Sequence, residues 1–153
     1  MENENNTVFT EIEINATPEQ VWGVLTDWDN LKAWSSTFIG ISVSKPVEGE
    51  RFVSYFKNPV TGKAIELEHV CTDYEEGKKF GWSGGIIGKT TDHHVYSLEL
   101  TQSGTTLFKQ EDGLHGPHSK FFNFLAKHKM TALYKKFNEE LKVRVESLYP
   151  KNQ

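Results

Sequence analysis

The last third of the chain most restricts what the whole can become. Its apolar residues recur with a period of about 3.6, so that Phe122, Ala126, Met130, Leu133, Phe137, Leu141, Val145 and Leu148 fall on one stripe. Lys127, Lys135, Glu139, Glu140, Lys142 and Arg144 fall on the other side. The pattern predicts one long amphipathic helix, begun near Gly116 and Pro117 and ended by Pro150, since proline suits a first helical turn and cannot continue a last one. A helix with a single apolar stripe needs a surface to cover.

The preceding residues supply that surface. Residues 8–15 alternate, with Val8, Ile12 and Ile14 on one side and Glu11 and Glu13 on the other, which predicts a half-buried strand. Thr17, Pro18 and Gln20 stand where a capping box and a first helical turn need them, opening a short helix that turns Val21, Trp22 and Leu25 inward. A second short helix is expected over "DWDNLKAWS", capped by Asp27 and ending before Ser35. Strand-like runs then follow at residues 38–44, 51–57, 64–73, 79–83, 94–101 and 105–112, and every separator between them contains glycine. Glycine provides the positive φ that tight turns require, so the runs read as successive hairpins of an antiparallel sheet.

The order is one strand, two short helices, six strands and one long helix. That is an α+β chain, a curved antiparallel sheet of about seven strands wrapped round the C-terminal helix with the short helices plugging one end. The 153 residues fit one domain, 1–153 with a core of residues 7–148, without linker or repeat. At 37% hydrophobic and 25% charged the chain can bury a core, and ten Phe and four Trp suit either a thick core or an apolar binding wall. A net charge of -4 gives no pull toward nucleic acid. The single cysteine, Cys71, fits a reducing compartment. The start of the chain carries no leader pattern, and no apolar stretch approaches the roughly 18 residues of a membrane span, so a cytoplasmic location without stable membrane insertion is expected.

His93 and His94 follow each other on a strand, so their side chains point to opposite faces and cannot chelate one metal. His69, His115 and His118 complete no HxH, HExxH or CxxC spacing, and neither a metal nor another cofactor is expected. His94 shares a face with Tyr96, Leu98 and Leu100, oriented inward because the leucines call for burial. Across the Gly104 hairpin, Thr106, Phe108, Gln110 and Asp112 share the facing side. Asp112 stands either inward or at a solvated rim. Phe80 and Trp82, then Phe52, Ser54 and Phe56, then Ile65, Leu67, His69 and Cys71 form further sets able to point inward. An interior of aromatics with a few polar atoms is what a ligand pocket uses, the rings for affinity and the polar atoms for orientation. Ile86 and Ile87, set between glycines, read either as local packing or as a mobile lip of such a pocket.

"IEINATPEQVWGVLTDWDNLKAW", "FGWSGG", "HHVYSLELTQSGTTLFKQEDGLHG" and "FNEELKVRVE" together resemble the START-like or SRPBCC superfamily, the helix-grip fold, in its polyketide cyclase/dehydrase-like branch. The resemblance spans about residues 7–147. It implies a cavity between sheet and C-terminal helix, with Trp34, Phe52, Trp82, His94, Tyr96, Phe108, Gln110, Phe122 and Met130 at wall positions. Phe56, His69 and Phe80 join them from the strand pattern. The fold serves carriers, receptors, enzymes and co-chaperones alike, and no catalytic signature carries over. The leading expectation is binding or transport of a small apolar or amphipathic molecule, oriented by His94, Tyr96 and Gln110. A cyclase/dehydratase-like enzyme using His94 as acid or base is the alternative, and a co-chaperone-type interaction domain ranks third. Ligand identity and oligomeric state stay open.

Overall fold

The computed structural model describes residues 7–85, 91–116 and 119–151. Among these, seven strands form a single antiparallel sheet: β1 (Thr7–Ile14), β2 (Phe38–Ile41), β3 (Arg51–Lys57), β4 (Ala64–Glu75), β5 (Lys79–Gly85), β6 (Thr91–Leu100) and β7 (Thr106–His115). Their order across the sheet is β1-β7-β6-β5-β4-β3-β2. Strands β2 to β7 follow one another as hairpins, and the chain crosses from one edge strand to the other through two short helices. Helix α1 (Pro18–Leu25) carries the expected capping box, with Gln20 N donating to Thr17 Oγ1 at 3.3 Å and Thr17 N to Gln20 Oε1 at 3.0 Å. The long helix α2 (Ser119–Leu148) packs against β1, β7 and α1.

The architecture is the helix-grip α+β arrangement expected from the sequence, with local corrections. The second short helix, Trp28–Ala33, is a 3-10 helix, and Asp27 does not cap its backbone through the side chain. Asn30 instead donates from Nδ2 to Asp27 Oδ2 at 2.8 Å and from its backbone N to Asp27 O at 3.0 Å, closing a tighter i to i+3 turn. Strand β2 stops at Ile41 rather than residue 44, because the Ser42 hydroxyl accepts the Val53 N–H at 2.8 Å and the Ser44 carbonyl accepts Trp28 Nε1–H at 3.1 Å. On α2, Phe137, Leu141 and Val145 are buried, whereas Leu133 and Leu148 are exposed. The buried line passes through Asn138 and half-buried Met130 and Tyr134, which rotates Leu133 off it. Leu100 has the inward parity but lies at the β6–β7 turn, 67% exposed.

Strand β4 reaches Glu75 because it holds a bulge. Cys71 pairs with Trp82 and Asp73 with Gly81, leaving Thr72 as the extra residue. Before the bulge His69 and Cys71 face inward; after it Tyr74 packs on the core. Ile65 and Leu67, at the other end of the same strand, have the inward parity and are exposed, Leu67 by 46%. The described β4–β5 ladder runs from Val70–Ser83 to Glu75–Lys79, so the first half of β4 is paired on its β3 side. No helix among the described residues is long and apolar enough to cross a membrane.

Candidate functional site

Register places the inward residues in cross-strand rows. Trp82 stands opposite His94, His94 opposite Asp112, and Asp112 opposite Val8. The neighbouring row is Phe80, Tyr96, Gln110 and Thr10. Asp112 therefore belongs inside rather than at a rim, and it is 2% exposed. The two histidines diverge as their parity requires. His93 lies on the outer face, with Nε2 2.9 Å from Asp73 Oδ2, while His94 is buried.

The anticipated aromatic walls mostly pack on one another. Trp82 lies 5.1 Å from both Phe80 and Tyr96, and Tyr96 stacks on Phe137 at 5.6 Å with Phe108 beside it at 5.5 Å. Phe52 contacts Phe80 and His69, half-buried Phe56 contacts Phe38, and half-buried Trp34 lies 5.4 Å from Phe137. Trp82, Phe80, Tyr96, Phe108 and Phe137 thus fill the middle of the interior. Met130 is half-buried on α2. The Phe122 side chain, Ile86, Ile87, Pro117 and His118 lie outside the described residues.

Open space lies toward the end of the sheet where β4 and β5 cease to pair. A half-open cavity of about 730 Å³ has as its described walls Arg51, residues 66–70, Ser83, Gly84 and Asp92. That volume lies within the range of small-molecule sites. His69 is the anticipated site residue among these walls, and its Nδ1 is 2.7 Å from Ser54 Oγ. A Cβ built on Gly84 would come 2.5 Å from His69 Cδ2, so only glycine leaves the imidazole its place. Gly84 N donates to Asp92 Oδ1 at 2.9 Å, fixing that carboxyl on the wall.

Behind Asp92, on the same face, runs a buried polar network. Gln110 Nε2 donates to the Tyr134 carbonyl at 3.1 Å and to Asn138 Oδ1 at 2.5 Å, and Asn138 Nδ2 donates to Thr10 Oγ1 at 3.0 Å. His94 Nε2 is 2.8 Å from Gln110 Oε1, with its ring between Trp82 at 4.5 Å and Tyr134 at 4.7 Å. The Tyr134 hydroxyl donates to Asp112 Oδ2. Asp112 Oδ1 is buried and has no hydrogen-bond partner among the described residues.

Burial sets the charge states. Desolvation lowers His94 to about 4, and desolvation together with the nearby His94 lowers His69 to about 4, so both imidazoles are neutral at neutral pH. Desolvation raises Asp112 to about 6, and desolvation with the neighbouring Asp112 raises Asp92 to about 6. Desolvation and the Asp112 charge push the Tyr134 phenol well up, keeping it a donor. The site can therefore bind and exchange protons near neutrality.

Asp92, Gly84, Tyr134 and Asn138 are participants that sequence reasoning missed, while Ser54 was placed on an inward face without being counted in the site. Asp92 shares the parity of His94 and was within reach once β6 is begun at Thr91. Tyr134 and Asn138 flank Phe137 at helical spacing, but a search for apolar residues passes over them.

The fold and its inward face define a helix-grip domain of the SRPBCC type. Residues 6–146 match the family described as polyketide cyclase / dehydrase and lipid transport, and the chain belongs to that family. No curated protein matches it. Solved structures of similar fold include a protein from Rhodobacter sphaeroides, 18% identical, with 95% of each chain covered and a TM-score of 0.73. A protein from Chromobacterium violaceum is 13% identical over 92% of this chain and 98% of that one, with a TM-score of 0.70. DynU16, a protein in the dynemicin biosynthetic locus, is 16% identical with a TM-score of 0.71, over 95% of this chain and 49% of that one.

Proposed function

We propose that the chain binds a small, largely apolar or amphipathic molecule in the cavity at the end of the sheet where β4 and β5 cease to pair. The observation that carries this reading is the cavity of about 730 Å³ walled by Leu67, His69, Gly84 and Asp92, where a half-exposed apolar side chain adjoins fixed polar groups. Apolar surface supplies affinity there and the polar atoms orient the guest. The family's association with lipid transport agrees with such a role. The site would also include the anticipated residues behind the wall: Trp82 beneath the guest, with His94, Tyr96 and Gln110 holding the polar end in place.

Mass spectrometry of protein purified under native conditions, followed by titration with a fluorescent fatty acid and a flavonoid, tests this reading. A retained molecule, or quenching of Trp82 with a raised melting temperature, is the expected result. A ligand at about 100 times its dissociation constant adds about 2.7 kcal/mol of native stability. Absence of any effect across such a series rejects the carrier reading.

A cyclase/dehydratase-like activity is the second reading, favoured by two inward carboxyls near pH 6 beside a neutral imidazole. Such groups can take and give protons near neutrality. His94→Gln separates the two: a carrier loses about tenfold in affinity at most, whereas an enzyme loses about 10²–10⁴ in turnover with affinity nearly intact.

A further inference from the structure

The polarity of the buried network is fixed at one point. The Tyr134 backbone carbonyl can only accept, so the Gln110 atom facing it at 3.1 Å is the amide nitrogen. Gln110 Oε1 must then accept, and neutral His94 carries its hydrogen on Nε2 to supply that bond at 2.8 Å. His94 Nδ1 is left as a bare lone pair, 3.7 Å from Asp112 Oδ2. That distance exceeds a hydrogen bond, and both atoms are acceptors. The Tyr134 hydroxyl serves Oδ2, while Asp112 Oδ1 is buried without a partner among the described residues.

Asp92 adds to the same imbalance. It is two residues before His94 on β6, and its side chain forms part of the cavity wall. Among the described residues neither Asp92 nor Asp112 pairs with a lysine or arginine. Among the described residues these two carboxylates and the imidazole lone pair on the inward face of β6 and β7 have no ion-pair partner outside the set, and Arg51 on the cavity wall makes no ion pair with either carboxylate. Burying such a set is unfavourable unless a partner arrives.

We propose that the ligand is an amphipathic amine, its ammonium group held by Asp92, Asp112 and His94 Nδ1 and its apolar body lying toward Leu67 and the cavity mouth. An ammonium supplies three donors and the missing positive charge, whereas a carboxylate headgroup would meet like charge. This inference rests on the ligand-binding reading above and specifies the headgroup that the site selects.

Calorimetric titration at neutral pH with 4-phenylbutylamine, 4-phenylbutan-1-ol and 4-phenylbutanoate tests it. The amine should bind about tenfold or more tightly than the alcohol, and the acid should bind weakest. Asp112→Asn should remove the preference for the amine, bringing the amine-to-alcohol affinity ratio to within roughly threefold of one. Asp92→Asn, on the cavity wall, should reduce it in the same direction and provides the test independently if Asp112→Asn does not fold. Equal binding of amine and alcohol, or a preference that survives in both variants, overturns the ammonium assignment while the carrier reading stands. Binding of none of the three overturns the ammonium assignment, and the carrier reading is then decided by the fatty-acid and flavonoid titrations above.

Discussion

The imidazole of His69 occupies the space that a side chain at Gly84 would need, with Nε2 2.9 Å and Cδ2 2.5 Å from the built Cβ. Gly84→Ala must therefore displace the ring and strain or break its 2.7 Å contact with Ser54 Oγ. A loss of about 1–3 kcal/mol is expected from chemical denaturation. His69→Ala in the same chain should recover part of it, so the double variant will be more stable than the sum of the two single losses.

Asp112 destabilises the folded chain at neutral pH. Its folded value of about 6 lies above the ordinary 3.8, so the native state holds a proton that the unfolded chain releases first. Stability from this group is thus greatest below about pH 4 and declines as pH rises through 6. Asp112→Asn should raise stability at pH 7 to 8 by about 1–3 kcal/mol and bring little gain at pH 4. Denaturation curves at the two pH values provide the check, and a variant equally or less stable at pH 8 contradicts the buried charge.

His94 acts in the opposite sense over the same interval. Its folded value of about 4 is below the ordinary 6.5, so the unfolded chain gains a proton first as pH falls. The stability associated with neutral His94 is complete above 6.5 and is lost as pH drops through 4. Since the Asp112 slope has the other sign, the wild-type profile between pH 4 and 6.5 should be comparatively flat. His94→Gln should make stability fall as pH rises across that window, and Asp112→Asn should make it climb. Identical slopes in the two variants would show that neither group titrates as its surroundings dictate.

Gln110 joins β7, β6 and α2 through contacts with His94, Tyr134 and Asn138. Gln110→Ala strips two buried polar groups, His94 Nε2 and Asn138 Oδ1, of a partner and removes a third contact to the Tyr134 carbonyl, a loss of about 3 kcal/mol. Thr10→Val removes only the acceptor at the far end of the network, at 3.0 Å from Asn138 Nδ2, and should cost about 1 kcal/mol. Thermal unfolding of the two variants ranks them.

The β6–β7 hairpin was legible from the sequence because a glycine turn and strict alternation determine every cross-strand partner, and His94 with Asp112, Tyr96 with Gln110 and Leu98 with Phe108 follow directly. Helix α2 was legible through its apolar period, but its polar inward residues were not. Tyr134 and Asn138 turn inward because Asp112 and Gln110 wait opposite them, a reason that exists only in three dimensions. The filled centre and the displaced cavity were beyond reach for a related reason. Alternation tells which rings face inward, but whether those rings meet depends on the closeness of α2 to the sheet.

The bulge at Thr72 bears on how relatives of this chain should be compared. One added residue reverses odd and even along β4, so His69 and Cys71 share a side with Tyr74 rather than with Asp73. At the 13–18% identity of the similar folds described above, few matching letters anchor an alignment. A gap-free match to a relative that lacks the bulge would equate core positions with solvent positions on one flank of Thr72. Comparing site residues across the family therefore requires aligning the two halves of this strand separately.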